Sequence, residues 1–317
     1  MKKGLFIIFL LLCISSCDNN YKTGDNFQLV FTDVDNFWKM YDKVKTIEKE
    51  DERVKIIKTE YFDIATLGFK KLIKLDKLTP KYYSNYLRDT LFYNSIRRNV
   101  IYLKKDTVLV RSNLKKFSEL YPKAKFSDIY FVIGLFNHGG VVVNNTMIIE
   151  NQMYTKSKET IGDFISVNNL MDKQSLLPLL IHEQIHLSQE NKNRNTLLGD
   201  AIVEGCADFF MYLQTNKRPS TLQKTYNFGL KNEFEVWEKF KSDMKKERNS
   251  VKNLWFYNYS IKEVVYPDLG YFIGHQICKS YYENSINKKK AIEFLLTEKD
   301  FEKILKLSKY RGGNKIK

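Results

Sequence analysis

The segment Leu179-Leu180-Ile181-His182-Glu183-Gln184-Ile185-His186-Leu187 constrains this chain more than any other. Two histidines four residues apart meet on one side only if the segment is helical. At about 100° per residue they then lie about 40° apart, one turn along, and both can reach a single ion. Glu183 falls about 60° to the side of His186, where it can touch a water beside that ion without being a ligand. Ser175 can cap the helix, and Pro178 is tolerated in its first turn.

A second helix is expected after the polar loop 190–195, with Thr196 as its cap. It carries one carboxylate stripe through a small and apolar run, Ala201-Ile202-Val203-Glu204-Gly205-Cys206-Ala207-Asp208. His186 lies about 7 Å from the base of the turn and Glu204 about 10 Å, at 1.5 Å per residue. An antiparallel helix pair therefore brings them to one level. His182, His186 and Glu204 are the expected metal ligands. Asp208, one turn beyond Glu204 on the same face, is expected to accept a hydrogen bond from a ligand histidine and fix its tautomer. Cys206 is about 200° round and should point away.

The N-terminus reads as an export signal. Lys2 and Lys3 precede an apolar run over 5–13 that is too short to span a bilayer as a helix. Its end, Ile14-Ser15-Ser16-Cys17, resembles the bacterial lipobox, which implies cleavage after residue 16 and a lipid on Cys17. The competing readings are an uncleaved hydrophobic anchor and a plain secretory signal. Residues 17–30 are expected to form a tether and 31–317 one domain, helical over 31–125 and with strands plus the site helices over 126–317. Cys206 and Cys278 then remain in a compartment that permits disulfides.

Composition narrows the function classes. The 317 residues are 43% hydrophobic and 28% charged, with 14 Gly, 5 Pro and 4 Cys, so disordered, collagen-like and disulfide-framework chains are excluded. Of 52 Lys+Arg residues only nine are Arg, and the Lys residues are scattered. The formal charge of +15 thus reads as a solvated surface able to sit near anionic lipid, and no nucleic-acid partner is expected. No Gly-x-Ser-x-Gly elbow, P-loop or Cys-x-x-Cys pair is present. A helix should begin near Asp33, several more should fill 63–103 with a break at Thr79-Pro80, and β-rich runs occupy 126–133 and 141–149 around the turn Asn137-His138-Gly139-Gly140. His138 reads as a loop residue. From about Met171 the pattern is helical.

The HExxH helix followed by Glu204 and Asp208 resembles the gluzincin metallopeptidases. A wider resemblance adds Asp35-Asn36-Phe37-Trp38-Lys39-Met40-Tyr41-Asp42, Tyr121-Pro122, Asp128-Ile129-Tyr130-Phe131-Val132-Ile133-Gly134, Gly139-Gly140 and Asp268-Leu269-Gly270-Tyr271-Phe272-Ile273-Gly274. It is to a family of Zn-dependent proteases related to the gliding-motility lipoprotein B proteins. His275 stands where that pattern favours Tyr. The resemblance implies an α+β, zincin-like fold, mostly helical, with a small sheet preceding the HExxH helix. It implies a Zn²⁺ cofactor and a peptide or protein substrate. Location is expected in the bacterial cell envelope, lipid-anchored to the outer membrane and facing periplasm or cell surface, with envelope proteins as partners. Glu183 is expected to be the general base. Gly270-Tyr271 makes Tyr271 the candidate donor to the oxyanion, with His275 its substitute and the strand over 141–149 offering an edge to an extended substrate. The alternative is a non-catalytic lipoprotein of a motility or secretion apparatus that keeps the same shell.

Overall fold

The computed structural model describes residues 21–24, 26–105, 107–258 and 266–313. The export signal and Cys17 lie outside them. The chain forms an α+β structure of two compact units, Met1–Arg111 with Ser127–Leu176, and Ser112–Phe126 with Leu177–Lys317. This division differs from the expected one: the strands belong with the N-terminal helices, because their buried faces pack there.

In the first unit, helices α1 (Thr32–Val44), α2 (Glu50–Ile57), α3 (Leu67–Asp76), α4 (Pro80–Tyr86) and α5 (Thr90–Lys105) accompany a four-stranded sheet. The start of α6 (Thr107–Leu120) also belongs here. The strands are β1 (Leu29–Val30), β2 (Ile129–Val132), β3 (Gly140–Val143) and β4 (Thr146–Glu150), in the order β1-β2-β4-β3. β2 runs parallel to β1 and β4, and β3 antiparallel to β4. Phe27 is buried and Leu29–Val30 pair with β2, so the folded chain begins before the expected end of the tether at residue 30.

The run 141–149 is not one strand. Asn144 and Asn145 take φ of 46° and 57°, a conformation Asn tolerates better than most residues, and they turn β3 back onto β4. Of these two strands β3 lies at an edge of the sheet, whereas β4 is flanked on both sides and buried along its length. Thr79 caps α4 with Pro80 in its first turn, as the break at that dipeptide requires. Asp33 does not cap α1. Its buried carboxylate accepts from the Thr66 backbone N–H at 3.0 Å and from the Thr66 hydroxyl, tying α1 to the start of α3.

The second unit is helical: α7 (Leu176–Ser188), α8 (Leu197–Thr215), α9 (Ser220–Lys231), α10 (Glu233–Asp243), α11 (Arg248–Trp255), α12 (Leu269–Asn284), α13 (Lys288–Thr297) and α14 (Phe301–Ser308), together with the rest of α6. Thr196 caps α8 by accepting from the Gly199 N–H at 3.1 Å. From Leu197 to Met211 every residue of α8 is buried, the mark of a helix surrounded by others. Its closest neighbour is α12. Gly205 and Gly274 meet there, and a Cβ built on either would overlap the other helix's backbone, so only glycine allows this approach. No helix among the described residues is long and apolar enough to cross a membrane.

Candidate metal centre

Helix α7 presents His182 and His186, and α8 presents Glu204, all buried. His182 Nε2 lies 3.0 Å from His186 Nε2, and Glu204 Oε2 lies 3.3 Å from each. The two imidazoles are nearly perpendicular, with centroids 4.6 Å apart. Each Nδ1 is committed elsewhere. His182 Nδ1 donates to Asp208 Oδ1 at 2.9 Å, and His186 Nδ1 donates to Gln189 Oε1 at 2.6 Å. Gln189 is oriented by its own donation to the Val203 carbonyl at 2.8 Å. Because both acceptors can only accept in these positions, both Nδ1 atoms carry protons, and both Nε2 lone pairs face one point.

Two lone pairs and a carboxylate oxygen converging at that spacing repel one another unless a positive charge, a proton on one imidazole or a metal ion, lies among them. The donor set suits a transition metal, zinc among them. Tetrahedral ligands at 2.0–2.1 Å from zinc lie about 3.3 Å apart, which is close to the edges of this triangle. His182, His186 and Glu204 are therefore the residues that could hold it. In the metal-free chain, burial opposes charge on His182, but the bonds to Asp208 and Glu204 outweigh it and its pKa is pushed up to about 10. Burial likewise opposes charge on Glu204, but the Arg194 guanidinium and the His186 and His182 rings hold its carboxyl well below the usual range.

The expected stripe of Glu204 and Asp208 is longer by one member. Asp200 precedes Glu204 by one turn, and all three carboxylates are buried. Arg194, from the loop between α7 and α8, bridges the first two, its Nη1 reaching Asp200 Oδ1 at 3.0 Å and also Glu204 Oε1. Arg248 Nε holds Asp200 Oδ2 at 2.8 Å. At the other end, the Tyr226 hydroxyl donates to Asp208 Oδ2 at 2.6 Å. Asp200 could have been found by extending the four-residue spacing backwards. Arg194 and Tyr226 come from a loop and from α9, and no spacing rule points to them.

Glu183 is buried beside the histidines at 4% exposure. Burial raises its pKa, and the charges of His186 and His182 counter this. Tyr271, in the first turn of α12, has its ring centroid 6.2 Å from that of His182. Its hydroxyl donates to the hydroxyl of Tyr257 at 3.1 Å. Sequence reading missed Tyr257. It is held at φ 54°, its N–H bonded to Asp268 Oδ1 at 2.6 Å, a conformation that a β-bearing residue keeps only where its surroundings enforce it.

His275 is not a substitute for Tyr271. Its ring packs on Phe209, Tyr212 and Tyr226, and Arg218 Nη2 donates to its Nε2 at 3.3 Å. One helical turn beyond Tyr271, it packs against Asp208's partner Tyr226 and meets Arg218. Cys206 faces the Leu295 carbonyl, and Cys206 and Cys278 are free thiols.

A second convergent group, Asp76, His138 and Glu150, lies in the first unit. Its Glu150 carboxyl group is already occupied by other partners. Glu150 accepts from the Phe136 and His138 N–H groups at 2.7 and 2.9 Å and from Gln152 Nε2 at 2.7 Å. His138 Nε2 pairs with Asp76 Oδ1 at 2.9 Å. This buried carboxyl group fastens the loop after β2, in keeping with the reading of His138 as a loop residue.

The family described as gliding motility protein GldB matches residues 28–312, nearly the whole chain, and the chain belongs to that family. No curated protein and no solved structure matches it.

Proposed function

We propose that this member of the gliding motility GldB family is an envelope lipoprotein, anchored through Cys17 to the outer membrane, whose buried centre binds zinc and hydrolyses peptide bonds. Family membership supports the first half, a motility-associated envelope component working with other envelope proteins. The second half rests on one observation: both His Nε2 atoms and one Glu204 oxygen converge within 3.0–3.3 Å, each histidine held in the matching tautomer from behind.

A zinc ion held there supplies Lewis acidity toward water and the scissile carbonyl. Glu183 takes the proton of the attacking water and passes it to the leaving amine. Arg194 occupies Oε1 of Glu204, leaving Oε2 to face the histidines. The Tyr271–Tyr257 pair supplies a hydroxyl proton toward the developing oxyanion.

The family description names motility and no protease, which favours a second reading: a non-catalytic component that retains the centre for structure. Glu183 separates the two, since it is dispensable for holding zinc. Glu183→Gln is expected to cut peptide hydrolysis by at least a hundredfold, about 2.7 kcal/mol of barrier, with zinc content unchanged. Equal cleavage by wild type and Glu183→Gln rejects Glu183 as the base, and no cleavage by wild-type protein carrying zinc leaves the non-catalytic reading.

A further inference from the structure

Charge around the centre is lopsided. At the Asp208 end, the partners are an imidazole and a phenol. At the Asp200 end, three cations gather about two carboxylates. Arg194 and Arg248 are spoken for by Asp200 and Glu204. Lys252, on α11 one turn after Arg248, has no carboxylate partner among the described residues, although it is half-buried. Its ammonium lies 4.8 Å from the centroid of the Tyr257 ring, and the Tyr257 hydroxyl in turn meets that of Tyr271 beside His182. Burial and the neighbouring Arg248 push the Lys252 amine below its ordinary range, the signature of a cation short of a counter-ion.

Arg194 is also only half used. Both of its bonds to carboxylates come from Nη1, and among the described residues Nε and Nη2 donate to nothing. The side chain keeps 21% of its surface exposed, so this unused edge of the guanidinium is open to a ligand. A planar pair of donors of this kind suits a carboxylate, which it grips through two parallel bonds. Two cationic groups, one without a counter-ion and one with a free edge, thus flank the Tyr257–Tyr271 pair next to the triangle of metal-binding atoms.

We propose that the centre selects substrates carrying a carboxylate close to the bond to be cut, held by Lys252 and the unused edge of Arg194. This rests on the hydrolytic reading above and adds its substrate class. The carboxylate can come from an acidic side chain or from the C-terminus of a peptide, and both present the same chemistry to these groups. An acidic substrate also restores the missing counter-ion, so the site gains most from the ligand it is built to take.

The test uses four N-acetylated pentapeptides, with Glu or Gln at the central position and a free carboxylate or an amide at the C-terminus. Binding to zinc-loaded full-length Glu183→Gln protein is measured by calorimetry, and turnover on the wild type. At least one carboxylate-bearing peptide is expected to bind roughly tenfold more tightly than the peptide with neither carboxylate. Preference for central Glu assigns the side chain, and preference for the free acid assigns the C-terminus. Lys252→Met, made in the Glu183→Gln background, should bring that ratio close to one, while Lys252→Arg, which keeps the charge, should preserve it. Preferential binding without wild-type cleavage sinks hydrolysis and leaves the recognition standing. The recognition is overturned by equal binding of all four peptides, by binding of none, by wild-type turnover that ignores the carboxylates, or by a ratio that Lys252→Met leaves intact.

Discussion

His182, His186, Glu204 and Asp208 were legible because helical periodicity alone places them, four residues apart on two helices joined by a short loop. Arg194, Tyr226 and Tyr257 were not, since they reach the centre from a loop, another helix and a residue at positive φ, where sequence spacing carries no geometric information. His275 was misplaced for a related reason: one turn of drift on α12 suffices to exchange a site for the pocket of Arg218. Glu150 was missed because a carboxylate within an apolar strand run has no marker for burial. Burial pushes its pKa up to about 7, against the nearby His138 charge and the Phe136 and His138 N–H groups. The folded state therefore holds this proton between the ordinary carboxylate value of 4.5 and about pH 7, where the unfolded chain has released it. Stability is expected to fall as pH rises through that window, by roughly 3 kcal/mol at most from this group. His138, whose pKa is raised by Asp76 against the effect of burial, loses stability in the same direction. Urea titrations at pH 5 and pH 7.5 check this: wild type should be the more stable at pH 5, and Glu150→Gln should flatten the difference. A wild type more stable at pH 7.5 would refute the assignment.

Among elements, the site depends on how closely α8 and α12 approach. Gly205 and Gly274 let the two backbones touch, which sets α12 and its Tyr271 beside the helix that carries Glu204. An alanine side chain at Gly274 would collide with the Ala201 carbonyl, a group that cannot rotate away. The helix-propensity gain of about 1 kcal/mol from Gly→Ala is outweighed by overpacking of about 1–3 kcal/mol or more against rigid backbone. Gly274→Ala is accordingly expected to lower unfolding stability by about 2 kcal/mol, seen as an earlier denaturant midpoint. An unchanged or later midpoint would mean that the helices can part at no cost. Element boundaries were readable where capping chemistry marks them, at Thr79-Pro80 and Thr196. The β3–β4 hairpin was read as one strand because Asn144-Asn145 lacks the glycine that usually announces such a turn. β1 was given to the tether because two paired residues make no periodic pattern.

At the scale of the whole molecule, the family match spans both compact units, so it covers the N-terminal helices and sheet along with the HExxH unit. The α+β class and the placement of a small sheet before α7 were readable from the switch in periodicity near residue 126 and again near residue 171. The grouping of strands with the earlier helices was not, since packing partners leave no local trace. The proposed envelope anchor rests on Cys17. Cys17→Ala is expected to abolish lipidation and move the protein from the membrane to the soluble fraction, checked by fractionation and intact mass; an unlipidated wild type would reject the anchor. The claim on which the rest depends is that His182, His186 and Glu204 hold zinc. The direct measurement is zinc content by plasma mass spectrometry on full-length protein purified in detergent after exposure to zinc and removal of excess. Wild type and Glu183→Gln should each carry about one zinc per chain and His186→Ala almost none. A wild type as metal-poor as His186→Ala would contradict the account.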